Sequence, residues 1–474
     1  MEVCMRLGKM AIITFLIMLC TRIGYTQYVI QIEETAGAGA DLTAALAFAN
    51  SGAISDVVVE LATSGGTYYL YQSDSVNVPL TIRAAEGLAE KPVIKAADGD
   101  TLVVFLRVRH HFILQGIILD GQHDDGTYVP MASFIYLENL ESGFKPDFTV
   151  NDCVFRNVYE GDPETTIGGS PIQTRNGTYA GVLSIENSTF MNYADEAVLL
   201  QQVTKTPDSV DSVAIRNCTF YNTTSSNKNQ GQFTVKSDNL AETPDPKIFL
   251  ENLTFYNCGT SFAIRDCPGT TVRNIIIANV NDASAGGNLG SIGSAGSVIS
   301  HVDTFMVSGG SFSLDDAKTP GAELAVMDSA TFYNYDPMFA DVENGDFTVK
   351  NPALYNKAHD GGLLGDRRWA DPNISAIIKE KTISSTPTAF ALSQNYPNPF
   401  NPVTTIRYSL EKTSDISINV YNLNGKLVET LYTGNKPAGE YSITWNASNL
   451  ASGVYFYKLV SGSNIVTKKM MLIK

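Results

Sequence analysis

A six-residue, Asn-bracketed motif recurs along the middle of the chain and constrains the fold more than any other feature. It reads Asn187-Ser-Thr-Phe190-Met-Asn192, Asn217-Cys-Thr-Phe220-Tyr-Asn222, Asn252-Leu-Thr-Phe255-Tyr-Asn257 and Asn274-Ile-Ile-Ile277-Ala-Asn279, with Asp152-Cys-Val-Phe155-Arg-Asn157 as an earlier copy. Degenerate copies lie at Gly116 to Gly121 and Ser329 to Asn334. The central positions 119, 155, 190, 220, 255, 277 and 332 are separated by 36, 35, 30, 35, 22 and 55 residues. The shortest step is the bare repeat, the longer ones carry insertions, and the last has room for a hidden turn. Repetition on this scale means a solenoid.

The residues within each repeat say which solenoid. Apolar residues stand seven and five positions before the centre: Phe112 and Leu114, Phe148 and Val150, Leu183 and Ile185, Val213 and Ile215, Ile248 and Leu250. This alternation describes a strand with one buried face. The Asn then breaks it, because Asn tolerates the left-handed backbone of a sharp bend. A second short strand follows with its Phe inward. Strand, bend, strand and loop make one turn of a right-handed parallel β-helix. Asn187, Asn217, Asn252 and Asn274 are expected to form a side-chain ladder at the strand spacing of about 4.8 Å.

With 44% hydrophobic and 17% charged residues, the chain is too apolar for disorder. Residues 1–26 read as a secretory signal: Arg6 and Lys9 precede an apolar run from Ala11 to Cys20 that is too short to span a bilayer. No other stretch reads as a transmembrane segment. Of the four remaining cysteines, Cys153 and Cys218 are expected as small core residues, whereas Cys258 and Cys267 are near enough in sequence to pair. Residues 27–390 carry a net charge of −22 and residues 391–474 a net of +4. So acidic a body excludes nucleic acid as a partner.

The solenoid is expected over 27–370. Asp41 caps a helix that fills its open N-terminal end, and the Asp-Pro and Gly-Asp turns from Asp336 to Trp369 close the other. A polar linker (371–390) leads into an all-β module at 391–474, with short alternating strands and a type I′ turn at Asn424-Gly425, the pattern of a small immunoglobulin-like β-sandwich. Its motifs are Asn395-Tyr-Pro-Asn-Pro-Phe-Asn-Pro402, Val420-Tyr-Asn-Leu-Asn-Gly425, Ala438-Gly-Glu-Tyr-Ser442, Leu450-Ala-Ser-Gly-Val-Tyr455 and the terminal Lys468-Lys-Met-Met-Leu-Ile-Lys474. This module resembles the type A C-terminal sorting domain of the type IX secretion system of Bacteroidetes. The resemblance implies export to the outer cell surface, with the secretion machinery as a partner.

Within the solenoid, the strand Gly231-Gln-Phe-Thr-Val-Lys-Ser237 puts Phe233 and Val235 inward and Lys236 outward. One repeat later, Ile264 is inward and Arg265 outward. Two cations on neighbouring strands repel, which lowers the Lys pKa and makes it a competent general base. Such a pair suits β-elimination on a uronate polysaccharide: Lys236 takes the proton α to the carboxylate, and Arg265 stabilises the enolate-like charge. Gln202 and Asn229 are candidate substrate contacts. Here the sequence resembles the polysaccharide lyases that include chondroitinase B and the β-helical alginate lyases, within the pectin lyase-like superfamily. The matching residues are Val235-Lys-Ser237, Asn252-Leu-Thr-Phe255-Tyr-Asn-Cys258-Gly-Thr260 and Arg265. Calcium-dependent members place acidic residues five and seven positions before the Lys, where this chain has Gly231 and Asn229. Calcium therefore lacks its expected ligands here, and the sequence assigns no cofactor; Glu196, one repeat earlier, is the one substitute. Two alternatives remain. One is a non-catalytic glycan-binding or adhesion protein. The other is a glycan hydrolase, which needs paired carboxylates from among Asp120, Asp124, Asp125, Asp195 and Glu196.

Overall fold

The computed structural model describes the chain except residues 1–15, 23–24, 35–39, 53–55, 100, 139–143, 164–167, 175–179, 202–209, 224–231, 237–246, 260, 266, 268, 281–287, 294–296, 308–310, 314–325, 356, 372–389, 396, 437, 448–449, 463 and 474. It forms two units, one of residues 1–359 with 363–370 and one of 360–362 with 371–474.

The first unit is a parallel β-helix with three faces. The first sheet runs from Tyr25–Ile32 through Val57–Leu61, Leu80–Ala84, Phe112–Gln115, Phe148–Asn151 and Ala180–Glu186 to Val326–Met327. After each Asn bend the chain enters the second sheet, which includes Thr67–Leu70, Val93–Ala96, Ile118–Asp120, Val154–Val158 and Thr189–Tyr193. Val210–Thr223, Lys247–Tyr256, Thr271–Ala278 and Val298–Phe305 each run through the bend and serve both sheets. The third sheet has nine strands, from Asp74–Val76 to Ser311–Ser313. The antiparallel pair of Leu16–Arg22 with Tyr25–Ile32 begins the fold; the signal reading covers this first strand and residues 1–15, which lie outside the described residues.

Two ladders hold successive turns in register. Asn187 Nδ2 donates to Asn151 Oδ1 (2.8 Å), Asn217 to Asn187 (3.2 Å), Asn252 to Asn217 (3.1 Å) and Asn274 to Asn252 (3.0 Å). All four Asn have φ between 50 and 60°, the left-handed conformation required by the bend. Inside, Phe155, Phe190, Phe220 and Phe255 stack face to face, with centroids 4.8, 5.0 and 5.0 Å apart. Phe220 is fully buried in the middle of this stack. Phe220→Ala should cost about 3–5 kcal/mol, because the rings above and below cannot close on the void. Chemical denaturation measures this, and a loss below about 1 kcal/mol would show that the stack relaxes freely.

The register corrects one repeat. Ile277 aligns with Thr304, the centre of the hidden turn, but Phe332 aligns with Val302 and lies two residues out of phase. The helix Leu42–Ala49 takes the place of a third-sheet strand in the first turn, capped by Asp41, whose Oδ1 accepts from Ala44 N (3.2 Å). Cys153, Cys218, Cys258 and Cys267 are all buried free thiols, so Cys258 and Cys267 do not pair.

The segment expected to close the C-terminal end instead turns back as a strap over the outside of the second sheet. Val349, Leu354, Ala358, Leu363 and Leu364 pack on Ile276 and Ala278. Further back, Trp369 Nε1 donates to Thr219 Oγ1 (2.7 Å) and Arg368 reaches the carbonyls of Asn187 and Ser188. The strap's Asp and Asn residues form turns: Asp336, Asp346 and Asn351 accept from Met338, Thr348 and Ala353 amides.

Under the strap, Asp303 is fully buried, and its Oδ1 accepts from Tyr335 N (2.7 Å). Burial pushes its carboxyl up to about 7, against the Tyr335 amide and with help from Asp336. An unfolded Asp ionises near 3.9. Between about pH 4 and 7 the folded state therefore holds a proton that the unfolded state has lost, and stability falls as pH rises. Asp303→Asn should flatten that decline in denaturation midpoints measured from pH 4 to 8. An identical decline in the variant would assign it to another group.

The second unit has seven strands in two antiparallel sheets. Ala391–Leu392, Val403–Leu410 and Gly439–Asn446 form one, and Leu427–Lys436, Ser414–Asn422, Gly453–Ser461 and Asn464–Leu472 the other. Trp445, Tyr457, Ile406 and Ile418 lie in its core. The Asn424-Gly425 turn is not type I′, since Gly425 alone has positive φ (75°). Asn422 decides this: its Oδ1 accepts from the Asn424 and Lys426 amides, and its carbonyl from Gly425. The linker falls at 372–389, outside the described residues.

Candidate functional site

Three consecutive strands of the third sheet, Val198–Gln201, Phe233–Lys236 and Phe262–Arg265, carry the candidate cations. Inward residues anchor them: Val198, Phe233, Phe262 and Ile264 are fully buried, and Leu200 is nearly so. Lys236 and Arg265 end their strands as direct register partners, and Gln201 partners Lys236 on the other side. Adjacent strands place these backbones about 4.8 Å apart. The row continues to Gly293. Gln202 and Asn229 lie outside the described residues. Glu196 is fully buried. Among the described residues, no three His, Cys, Asp or Glu side chains converge as a metal cage.

The ladder residues Asn187, Asn217, Asn252 and Asn274 are bonded to one another and to the strap, and their role is structural. Arg368 Nη1 donates to Asn187 O (2.8 Å), and His359 N to Asn274 Oδ1 (2.8 Å). Among the described residues, the exposed aromatics Phe48, Tyr71, Tyr128 and Phe249 are scattered along the chain. What sequence reading missed is a polar row on the second sheet, Tyr69, Lys95, Asp120 and Arg156, together with Asp124 above it. Asp120 and Asp124 stand out as carboxylates in the sequence, but only the register brings them beside Lys95.

Comparison with known proteins decides the nature of the C-terminal unit. Residues 394–474 match the family described as "Secretion system C-terminal sorting domain". The second unit is a secretion sorting domain. The sorting domain marks the chain for export and attachment at the cell surface. Among the described residues no helix is long and apolar enough to cross a membrane. Among solved structures, the chain is similar to a tailspike protein from Acinetobacter baumannii bacteriophage Fri1, a capsular polysaccharide depolymerase. Identity is 11%, coverage 88% of this chain and 73% of that one, and the TM-score 0.30. It is also similar to a tailspike protein mutant of E. coli bacteriophage HK620 in complex with pentasaccharide, with 11% identity, coverage of 94% and 85%, and a TM-score of 0.26. No curated protein matches the chain.

Proposed function

We propose that this protein is delivered to the cell surface by the type IX route and acts there on polysaccharide, cleaving uronate-containing chains by β-elimination. The observation that supports cleavage is the register of Lys236 with Arg265 across adjacent strands of the third sheet. A neutral Lys236 abstracts the proton α to the uronate carboxylate. Arg265, always charged, stabilises the charge that develops on the carboxylate as the proton leaves. The glycosidic C–O bond then breaks as the Lys236 ammonium or a water gives a proton to the departing oxygen, leaving a double bond on one sugar and a hydroxyl on the other. Gln202 and Asn229 orient the chain. A second reading, a surface protein that binds glycan without cleaving it, is favoured by Gly231 and Asn229 standing where the calcium-dependent lyases carry acidic residues.

The test incubates the full chain with alginate, pectate, chondroitin sulfate and dermatan sulfate, with and without calcium, and follows the ultraviolet absorbance of unsaturated uronate ends. Product formed by wild type and lost in Lys236→Ala supports the lyase reading. No product from any of the four, with binding retained, supports the second.

A further inference from the structure

The strap leaves the N-terminal half of the second sheet's outer face open. One outward row of that sheet runs Tyr69, Lys95, Asp120, Arg156, Met191 and Tyr221. The strap covers its later part, with Phe347 packing on Tyr221 at 4.8 Å between ring centroids and on Trp369 at 5.8 Å. The first four residues lie before the strap begins.

A loop overhangs this open stretch. It leaves the second sheet after Asp120 and is closed by the Gln122–Tyr128 bridge and by Gly126 N donating to His123 O (3.1 Å). It hangs Asp124 back over the two preceding turns. Lys95 Nζ lies 2.7 Å from Asp124 Oδ1, and the Tyr69 hydroxyl donates to Asp124 Oδ2. Lys95 and then Tyr69 hold the Asp124 carboxyl below the usual carboxylate range. One turn on, Arg156 pairs with Asp120 (2.8 Å), which also accepts from Asn157 Nδ2 (2.8 Å) and Gln122 N (3.0 Å). His123 supplies a further polar group: its side chain is only 6% exposed, and Nδ1 has no hydrogen-bond partner. Nδ1 lies 3.8 Å from Oδ1 of Asp98, a carboxylate that also accepts from Asp124 N (3.1 Å).

The two ion pairs cancel and Asp98 beside them adds negative charge, so the row offers fixed donors and acceptors without a net positive charge. It repeats at the strand spacing of about 4.8 Å, close to the length of one pyranose residue. A polyanion would have to displace Asp120 and Asp124 from their cations. Asp120 is buried beneath Arg156, but a chain of neutral hydroxyls can bond to the exposed edges of Arg156 and Asp124 without breaking either pair.

We infer that the open row Tyr69–Lys95–Asp120–Arg156, with the Asp124 and His123 overhang, is a binding site for a neutral, hydroxyl-rich glycan chain lying along the solenoid axis. It is separate from the Lys236/Arg265 face and does not depend on catalysis there.

The test is calorimetric titration of the full chain with cellohexaose, xylohexaose and mannohexaose, and with an alginate hexasaccharide as the anionic comparison. The expected result is binding of at least one neutral hexasaccharide. Tyr69→Phe and Asp124→Asn, which change one exposed-side polar group each, should weaken it at least tenfold, and Lys236→Ala should leave it unchanged. Thermal melting of each variant establishes that the fold is kept. Tyr69→Phe is the safeguard, since it removes one hydroxyl and keeps the ring. The inference is overturned if none of the neutral chains binds, if both variants bind like wild type, or if binding is lost in Lys236→Ala. Failure of the lyase assay alone would leave this site standing.

Discussion

Lys236→Ala should slow the formation of unsaturated uronate product by about 10²–10⁴-fold, the usual contribution of a positioned general base. The fold should be kept, because buried Phe233 next to Phe262 anchors the strand. Lys236→Arg separates charge from basicity. Arginine keeps the cation but does not deprotonate in proteins, so this variant should be as slow as the alanine while still binding substrate. A Lys236→Arg enzyme with near-normal rate would remove Lys236 from the base role and leave the pair an electrostatic clamp for carboxylates.

Arg368→Ala should destabilise the first unit by about 3–5 kcal/mol, the cost of leaving a buried charge without its partner. Asp366 has a fully buried carboxylate, bonded to Arg368 Nη2 (2.6 Å), Arg368 Nε (3.0 Å) and Thr219 Oγ1 (2.7 Å). The same guanidinium donates to Asn187 O, Ser188 O (2.9 Å) and Thr189 Oγ1 (3.1 Å), so its removal also takes a donor from three acceptors beside the ladder. Denaturant midpoints for Arg368→Ala, Asp366→Asn and the double variant form a cycle. The double variant should be less destabilised than the sum of the singles. Simple additivity, or a single-variant loss under about 1 kcal/mol, would mean that the strap is held by its apolar contacts with Ile276 and Ala278 alone.

The body fold was legible because its determinants are local. Inward alternation at Leu183 and Ile185, Asn187 able to take positive φ, and the inward Phe190 lie within eight residues of one another, and one repeat predicts the next. Stacking then follows from having the same residue in the same place, as in the Phe155 to Phe255 column. The pairing of Lys236 with Arg265 was readable for the same reason, since each follows an inward residue by one position. Reading weakened where the repeat decayed: without an Asn at its bend, the turn around Thr304 showed only as extra length in the last step, and Phe332 was taken out of phase. In the sorting domain, Asn-Gly suggested one turn, and the Asn422 side chain selected another.

Sequence by itself therefore determined a stack of parallel turns, the adjacency of Lys236 and Arg265 on successive turns and the sorting domain, all of which rest on short-range patterns, whereas the structure put that pair on a third sheet. Only the tertiary structure decided what covers each face. Arg368 meets Asn187 across 181 residues and Asp366 meets Thr219 across 147, and no periodicity links positions so far apart. That long-range fold-back buries one half of the second sheet. It leaves the other half, where Tyr69, Lys95 and Arg156 lie, uncovered by the strap.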